Sequence, residues 1–100
     1  MQCVVRESSM TASEMPEISR FFGIVITMYF NDHRPPHFHV RYERYRAKIA
    51  IEHGTVLEGA LPARVLALVA EWAHMHRVEL DRNWTSLATE GTFARIAPLE

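Results

Sequence analysis

The sequence contains a single cysteine, Cys3, so it cannot form an internal disulfide, which favours a reducing compartment. A long hydrophobic run is also missing. The longest one, Phe21 to Phe30, is about half the length that a membrane-spanning helix requires. No segment flanked by lysine or arginine precedes that run, as a secretion signal would require. We therefore expect a cytoplasmic protein with no membrane partner.

A strong positive charge, the simplest indication of a nucleic-acid-binding protein, is absent as well, because the net charge is −1 at pH 7. The charges are nevertheless segregated along the chain. Five lysine or arginine residues and one glutamate lie from His33 to Lys48, whereas four basic and seven acidic residues lie from Ile51 onward. This distribution predicts a basic sheet face opposed by acidic helices.

The length of 100 residues and the hydrophobic content of 48% are typical of one globular domain. Residues 1–14 have no periodic apolar pattern, and we expect them to be a disordered N-terminal extension. The single domain is expected to span residues 15–100.

Alternation of apolar and polar residues predicts strands in the first half of the chain. The segment Phe21 to Phe30 has one fully apolar face and is expected to form the first strand. Pro35 and Pro36 must interrupt the sheet, because proline cannot donate to a strand ladder. Two further alternating segments, residues 37–42 and 45–52, follow the prolines.

The two later segments alternate out of phase, and a two-residue loop at positions 43–44 explains this. The loop places Tyr42 opposite Tyr45, so the apolar residues of both strands share one face. A short strand over residues 55–58 is expected after a turn at His53 and Gly54.

After Gly59 the apolar residues recur every three or four positions, which is the period of a helix. We predict two helices within residues 62–89, joined near His76, because one helix of that length is large for so small a sheet. Trp72 and Trp84 are expected to be core anchors, with a homo-oligomer interface as the alternative. The predicted fold is α+β: an antiparallel meander of three to four strands with one face covered by two C-terminal helices.

The most specific chemical signal is the segment from His33 to His39, which holds three of the six histidines in seven residues. On a strand, His37 and His39 point to the same face with Cα atoms about 6.5–7 Å apart. The predicted register makes this the solvent-facing side of the sheet. The same face carries Thr27, Tyr29, Arg41, Arg46 and Lys48.

Two imidazoles at this spacing allow catalysis on RNA or contact without catalysis. As general base and general acid, His37 and His39 could cleave RNA through the ribose 2′-OH. Alternatively, the histidines could bond phosphate and stack on unpaired bases. The candidate contacts to nucleic acid or phosphate are Arg41, Arg46, Lys48 and Tyr29.

A divalent metal such as zinc is a third alternative, and apart from it no cofactor is expected. His37 and His39 would supply two ligands, and the turn would supply a third from His33 or Asp32. The plain structural alternative is that His33 and His37 brace the proline-rich turn while His39 is a solvated strand residue. The residues alone leave open whether the chain is an enzyme.

The string Asp-His-Arg-Pro-Pro-His-Phe-His, at residues 32–39, resembles the bacterial domain of unknown function numbered 4160. The resemblance extends from Met15 to the C-terminus and includes Gly54-x-x-Leu57-Glu58-Gly59-x-Leu61-Pro62, Glu71-Trp72, Asn83-Trp84 and Ile96-x-Pro98-Leu99. The family has no established activity. Its members are small bacterial proteins often linked to toxin–antitoxin-like gene pairs, which implies a cognate small protein as partner and favours RNA contact or cleavage.

The sequence therefore predicts a small module whose basic, histidine-bearing sheet face contacts RNA or another phosphate-rich partner, with RNA cleavage as an extension of that role. The alternative from a different class is a non-enzymatic module that pairs with a neighbouring small protein through a sheet edge or its helices.

Overall fold

The computed structural model describes residues 16–100, which form a five-stranded antiparallel sheet followed by two helices. Consecutive strands are neighbours in the sheet. The strands are β1 (Glu17–Phe21), β2 (Ile24–Thr27), β3 (His37–Tyr42), β4 (Tyr45–Ala50) and β5 (Val56–Ala60). The helices are α1 (Ala63–Met75) and α2 (Arg77–Thr89).

The predicted α+β meander with two C-terminal helices is confirmed, with five strands in place of three to four. The helices are separated at His76, as predicted. The predicted extension over residues 1–14 lies outside the described residues. Within residues 16–100, neither helix combines the length and the hydropathy that crossing a membrane requires.

The predicted strand from Phe21 to Phe30 is wrong, and this accounts for the additional strand. The chain reverses at Phe22 and Gly23, whose φ angles are 51° and 80°, and Phe21 pairs with Ile24. Glycine adopts positive φ without steric cost, so Gly23 suits this tight turn. The sequence did not indicate this turn, because Phe22 continues the apolar pattern of a strand. In the structure Phe22 is 61% exposed.

The hairpin of β3 and β4 has the predicted register, with Tyr42 opposite Tyr45 and Phe38 opposite Ile49. The turn between these strands places Glu43 at a φ of 52°. Strand β2 lies on the other side of β3, where Thr27 pairs with His39. Because successive side chains of a strand point to opposite faces, His37, His39 and Arg41 lie on the face of β3 opposite that of Phe38.

The core lies between the sheet and the two helices, and Trp72 is its largest fully buried side chain. The Trp72 ring lies 5.4 Å from the Phe21 ring and 6.0 Å from the Phe38 ring, measured between centroids. Its indole N–H donates a hydrogen bond of 2.9 Å to the carbonyl of Ala97. Trp72 is thus a core anchor, while Trp84 is partly buried against the same core.

The segment after α2 is fastened to β1 and to α2. The Ser19 hydroxyl donates to the carbonyl of Ile96 at 2.9 Å, and the Ile96 N–H donates to the carbonyl of Ile18 at 2.8 Å. On α2, the buried Asn83 amide donates to the Ala94 carbonyl at 2.8 Å and accepts from the Ala94 N–H at 2.9 Å. These bonds hold an irregular segment in place without adding a strand.

We expect Asn83→Ala to lower the free energy of unfolding by about 1–3 kcal/mol, because it removes two hydrogen bonds worth about 0.5–1.5 kcal/mol each. Urea denaturation monitored by tryptophan fluorescence measures the change. The control is Arg82→Ala, which alters an exposed neighbour on α2 and is expected to shift stability by less than about 0.5 kcal/mol. Equal losses in the two variants would contradict the bracing role of Asn83.

Candidate functional site

Asp32, His37 and His39 converge at the start of β3. The Oδ2 atom of Asp32 lies 2.9 Å from Nε2 of His37 and 3.3 Å from Nε2 of His39. These three atoms lie within 4.8 Å of one another. We call these three residues the Asp-His-His cluster. It forms because the turn before β3 folds back over the strand and brings a carboxylate to the two histidines that share a strand face.

Of the two turn residues considered as the third member, Asp32 joins the cluster and His33 does not. The His33 side chain is exposed and lies outside the cluster. Its backbone N–H instead donates to Oδ1 of Asp32 at 2.7 Å. His33 therefore helps to orient the carboxylate through the main chain.

The expectation that both strand histidines project into solvent is wrong for His37, whose residue surface is 2% exposed. Its ring packs against Trp84 of α2 at a centroid distance of 5.2 Å. Its Nδ1 donates to the carbonyl of Pro35 at 2.7 Å, so the residue does brace the proline-rich turn. The physical reason for the burial is that α2 and the turn cover the beginning of β3.

His39 remains partly accessible, with 23% of its side chain exposed. Its ring stacks on Tyr29, with centroids 4.4 Å apart and planes inclined by 18°. The rings of His37 and His39 meet edge to face, with their centroids 5.1 Å apart. His39 is thus the member of the pair that connects the buried cluster with the exposed sheet face.

Burial lowers the pKa of His39 below its ordinary value, and the positive charge of Lys48 acts in the same direction. The hydrogen bond to Asp32 opposes this shift without reversing it. For Asp32, burial acts to raise the pKa, but the hydrogen bonds that the carboxylate accepts, chiefly from the His33 backbone and from His39, outweigh it, and the pKa lies below the usual value. An ionised carboxylate therefore faces a neutral His39 near pH 7.

An open cavity of about 370 Å³ lies on the same sheet face. It brings together all four residues predicted to contact phosphate or nucleic acid, together with one of the two strand histidines. These lining residues are Tyr29, His39, Arg41, Arg46 and Lys48. We call this space the basic cavity. Its walls come from β2, β3, β4, the segment that follows β2, and β5, which contributes Glu58 and Gly59.

The charges of the basic cavity are only partly balanced within the described part of the chain. Arg41 and Arg46 stand directly opposite each other on β3 and β4, and both are exposed. Lys48 has a carboxylate partner in Glu58 of β5, with Nζ and Oε1 3.6 Å apart. Like charges in directly opposed positions destabilise a sheet unless an anion lies between them.

Sequence reasoning missed Glu58 and the cover that Trp84 provides. Glu58 follows Lys48 by ten positions and reaches it only through the pairing of β4 with β5. No local periodicity reports that contact. Trp84 belongs to the apolar stripe of the helix, so its core role could be predicted from the sequence. Its position over His37 depends on the angle at which α2 meets the sheet.

One protein-family model matches residues 23–85, and its description is a domain of unknown function (DUF4160). The matched range contains the whole Asp-His-His cluster and all the cavity residues named above. No curated protein and no solved structure matches the chain.

Proposed function

The chain belongs to the DUF4160 family, and from that premise we propose that its basic cavity binds single-stranded RNA through phosphate contacts. The observation that carries the proposal is the convergence of three cationic side chains and two stacked rings on one open cavity. A cavity of about 370 Å³ falls within the usual size range of small-ligand sites, which suits one nucleotide of a longer strand.

The opposed pair of Arg41 and Arg46 supports an anionic ligand. Within residues 16–100, neither guanidinium forms an ion pair with a carboxylate. A phosphate between them would turn a repulsive pair into two charge-assisted hydrogen bonds. Arginine suits this role because its planar group can bind two phosphate oxygens at once.

The stacked rings of Tyr29 and His39 support a single strand in preference to a duplex. Unpaired bases stack on aromatic side chains, whereas bases within an RNA helix are not accessible to them. Both rings are partly exposed and border the cationic residues. An unpaired base next to its own phosphate would match this arrangement.

Binding is better supported than RNA cleavage. An acid–base mechanism with two histidines needs two rings that reach the substrate. The His37 ring does not meet this requirement, because both of its nitrogens already face protein oxygens and the residue is buried. Only His39 borders the cavity.

We expect the affinity for a short single-stranded RNA to fall with salt, and Arg46→Ala to reduce the slope of log K against log [salt] by about 0.7, the contribution of one phosphate contact. Fluorescence anisotropy with a labelled oligonucleotide measures both quantities. Arg82→Ala, an exposed arginine on α2, is the matched control. A salt-independent affinity, or equal effects of the two substitutions, would refute the proposal.

A cognate small protein is the second candidate partner, and strand β5 favours it. Among residues 16–100, this strand forms one edge of the sheet, and all five of its residues are exposed. Val56 and Leu57 present apolar side chains there. An unpaired edge of this kind can accept a strand from another chain. The toxin–antitoxin-like gene pairing that the family resemblance implies would supply such a protein.

A further inference from the structure

We propose that Asp32, His37 and His39 bind one divalent transition-metal ion. The carboxylate oxygen Oδ2 lies 2.9 Å and 3.3 Å from the two Nε2 atoms. Two atoms that ligate the same ion at about 2.0–2.1 Å lie about 2.9–3.4 Å apart, depending on the coordination geometry. Both separations between the carboxylate oxygen and an imidazole nitrogen fall in that range, and all three ligand atoms lie within 4.8 Å of one another. The metal site stands on its own and does not depend on the proposed RNA contact.

The hydrogen bonding of His37 is the strongest argument for an ion. The Pro35 carbonyl can only accept, so the Nδ1 atom, 2.7 Å away, must carry a hydrogen. In the neutral ring this leaves Nε2 with a lone pair, and that lone pair faces the Asp32 carboxylate, which also can only accept. Two acceptors at 2.9 Å repel each other unless a cation lies beside both.

A proton on Nε2 is the competing explanation, and it would place a full imidazolium charge on a residue that is 2% exposed. Such a charge requires good pairing to offset its desolvation. Among the described residues, the only carboxylate paired with this nitrogen is that of Asp32, whose Oδ2 also lies 3.3 Å from Nε2 of His39. A metal ion uses the same three groups without placing a charge on either imidazole.

Each of the three groups is also held by a second contact, which is typical of metal centres. The Pro35 carbonyl fixes the ring orientation of His37, and the His33 backbone N–H fixes the carboxylate of Asp32. Tyr29 stacks on His39 and restricts its rotation. The ligands are therefore pre-oriented before any ion arrives.

The donor set selects the class of ion. Two imidazoles and one carboxylate suit Zn²⁺, Fe²⁺, Co²⁺ or Ni²⁺, whereas Mg²⁺ and Ca²⁺ prefer oxygen ligands. Three protein ligands leave at least one coordination position free for water or for an anion. Because His39 also borders the basic cavity, an anion bound there could reach that free position.

Zinc titration of the chelator-treated full chain tests the proposal. We expect calorimetry to give one Zn²⁺ per chain and the melting temperature to rise by about 10–20 °C at a free Zn²⁺ concentration of about 100 times Kd. His39→Ala and Asp32→Asn are each expected to weaken binding at least about 100-fold. His33→Ala is the matched control, because it removes an exposed histidine from the same turn and is expected to bind like the wild type.

Circular dichroism establishes whether each variant is folded, and Asp32→Asn serves if His39→Ala does not fold. Equal weakening by His33→Ala and His39→Ala, or the absence of one-to-one binding, would overturn the proposal. So would nitrogen NMR of the zinc-treated protein that finds both His37 nitrogens protonated. Arg46→Ala separates the two proposals, since it is expected to weaken RNA binding and leave Zn²⁺ affinity unchanged.

Discussion

Replacement of Trp72 by alanine is expected to lower the free energy of unfolding by about 3–5 kcal/mol, the usual cost of removing a buried aromatic ring. Trp72 is fully buried and packs on Phe21 of β1 and Phe38 of β3. The substitution also leaves the Ala97 carbonyl without its indole donor. Since domains of this size are stable by about 5–15 kcal/mol, a large share of the total is at stake.

Trp72→Phe separates packing from hydrogen bonding. It keeps an aromatic ring between the sheet and the segment around Ala97, so we expect a smaller loss of about 1–3 kcal/mol. Val78→Ala, on an exposed apolar residue of α2, serves as the control and is expected to change stability by less than about 0.5 kcal/mol. Chemical denaturation followed by circular dichroism measures all three variants. A Trp72→Ala loss no larger than that of Val78→Ala would refute the anchoring role.

Gly59→Ala is expected to cost about 2–5 kcal/mol and to distort the pairing of β4 with β5. A Cβ atom at this position would lie 2.1 Å from the Arg46 carbonyl oxygen and 3.0 Å from the Cα of Ala47, and both are backbone atoms. Gly59 also has a φ of 81°, which disfavours any side chain. Strain in the left-handed region contributes about 1–2 kcal/mol, and overpacking contributes about 1–3 kcal/mol more.

Gly54→Ala isolates the contribution of backbone strain from that of overpacking. Gly54 has a comparable φ of 67°, but a Cβ there would meet nothing within 4 Å. We expect this variant to lose only the strain energy, about 1–2 kcal/mol. Thermal or urea unfolding of both variants gives the comparison. Equal losses would mean that the close approach of β4 and β5 at Gly59 has no energetic consequence.

The β3–β4 hairpin could be predicted because strand alternation has a period of two residues. Once Tyr42 faces Tyr45, the apolar residues of both strands must share a face, and any shift by one residue would expose them. The helices were predictable for a similar reason, since their apolar stripe has its own period. The turn at Phe22 was not, because its exposed aromatic ring looks like part of a strand.

The candidate site was predictable in part. Strand geometry alone places His37 and His39 on one face, and it also places Arg41 there. The burial of His37 depends on where α2 crosses the start of β3, which no local pattern reports. Asp32 was one of two adjacent turn residues that could supply the third ligand, and the choice between it and His33 depends on how the turn folds back over the strand.

The bonds between Ile96 and the first hairpin strand affect the order in which the chain can fold during its synthesis. Ser19 and Ile96 are 77 positions apart, and the N–H of Ile96 meets the carbonyl of Ile18. Contacts of such separation form late because a long loop must close first. On a ribosome, the hairpin of β3 and β4 can form early, but β1 gains these bonds only after residue 96 has left the exit tunnel.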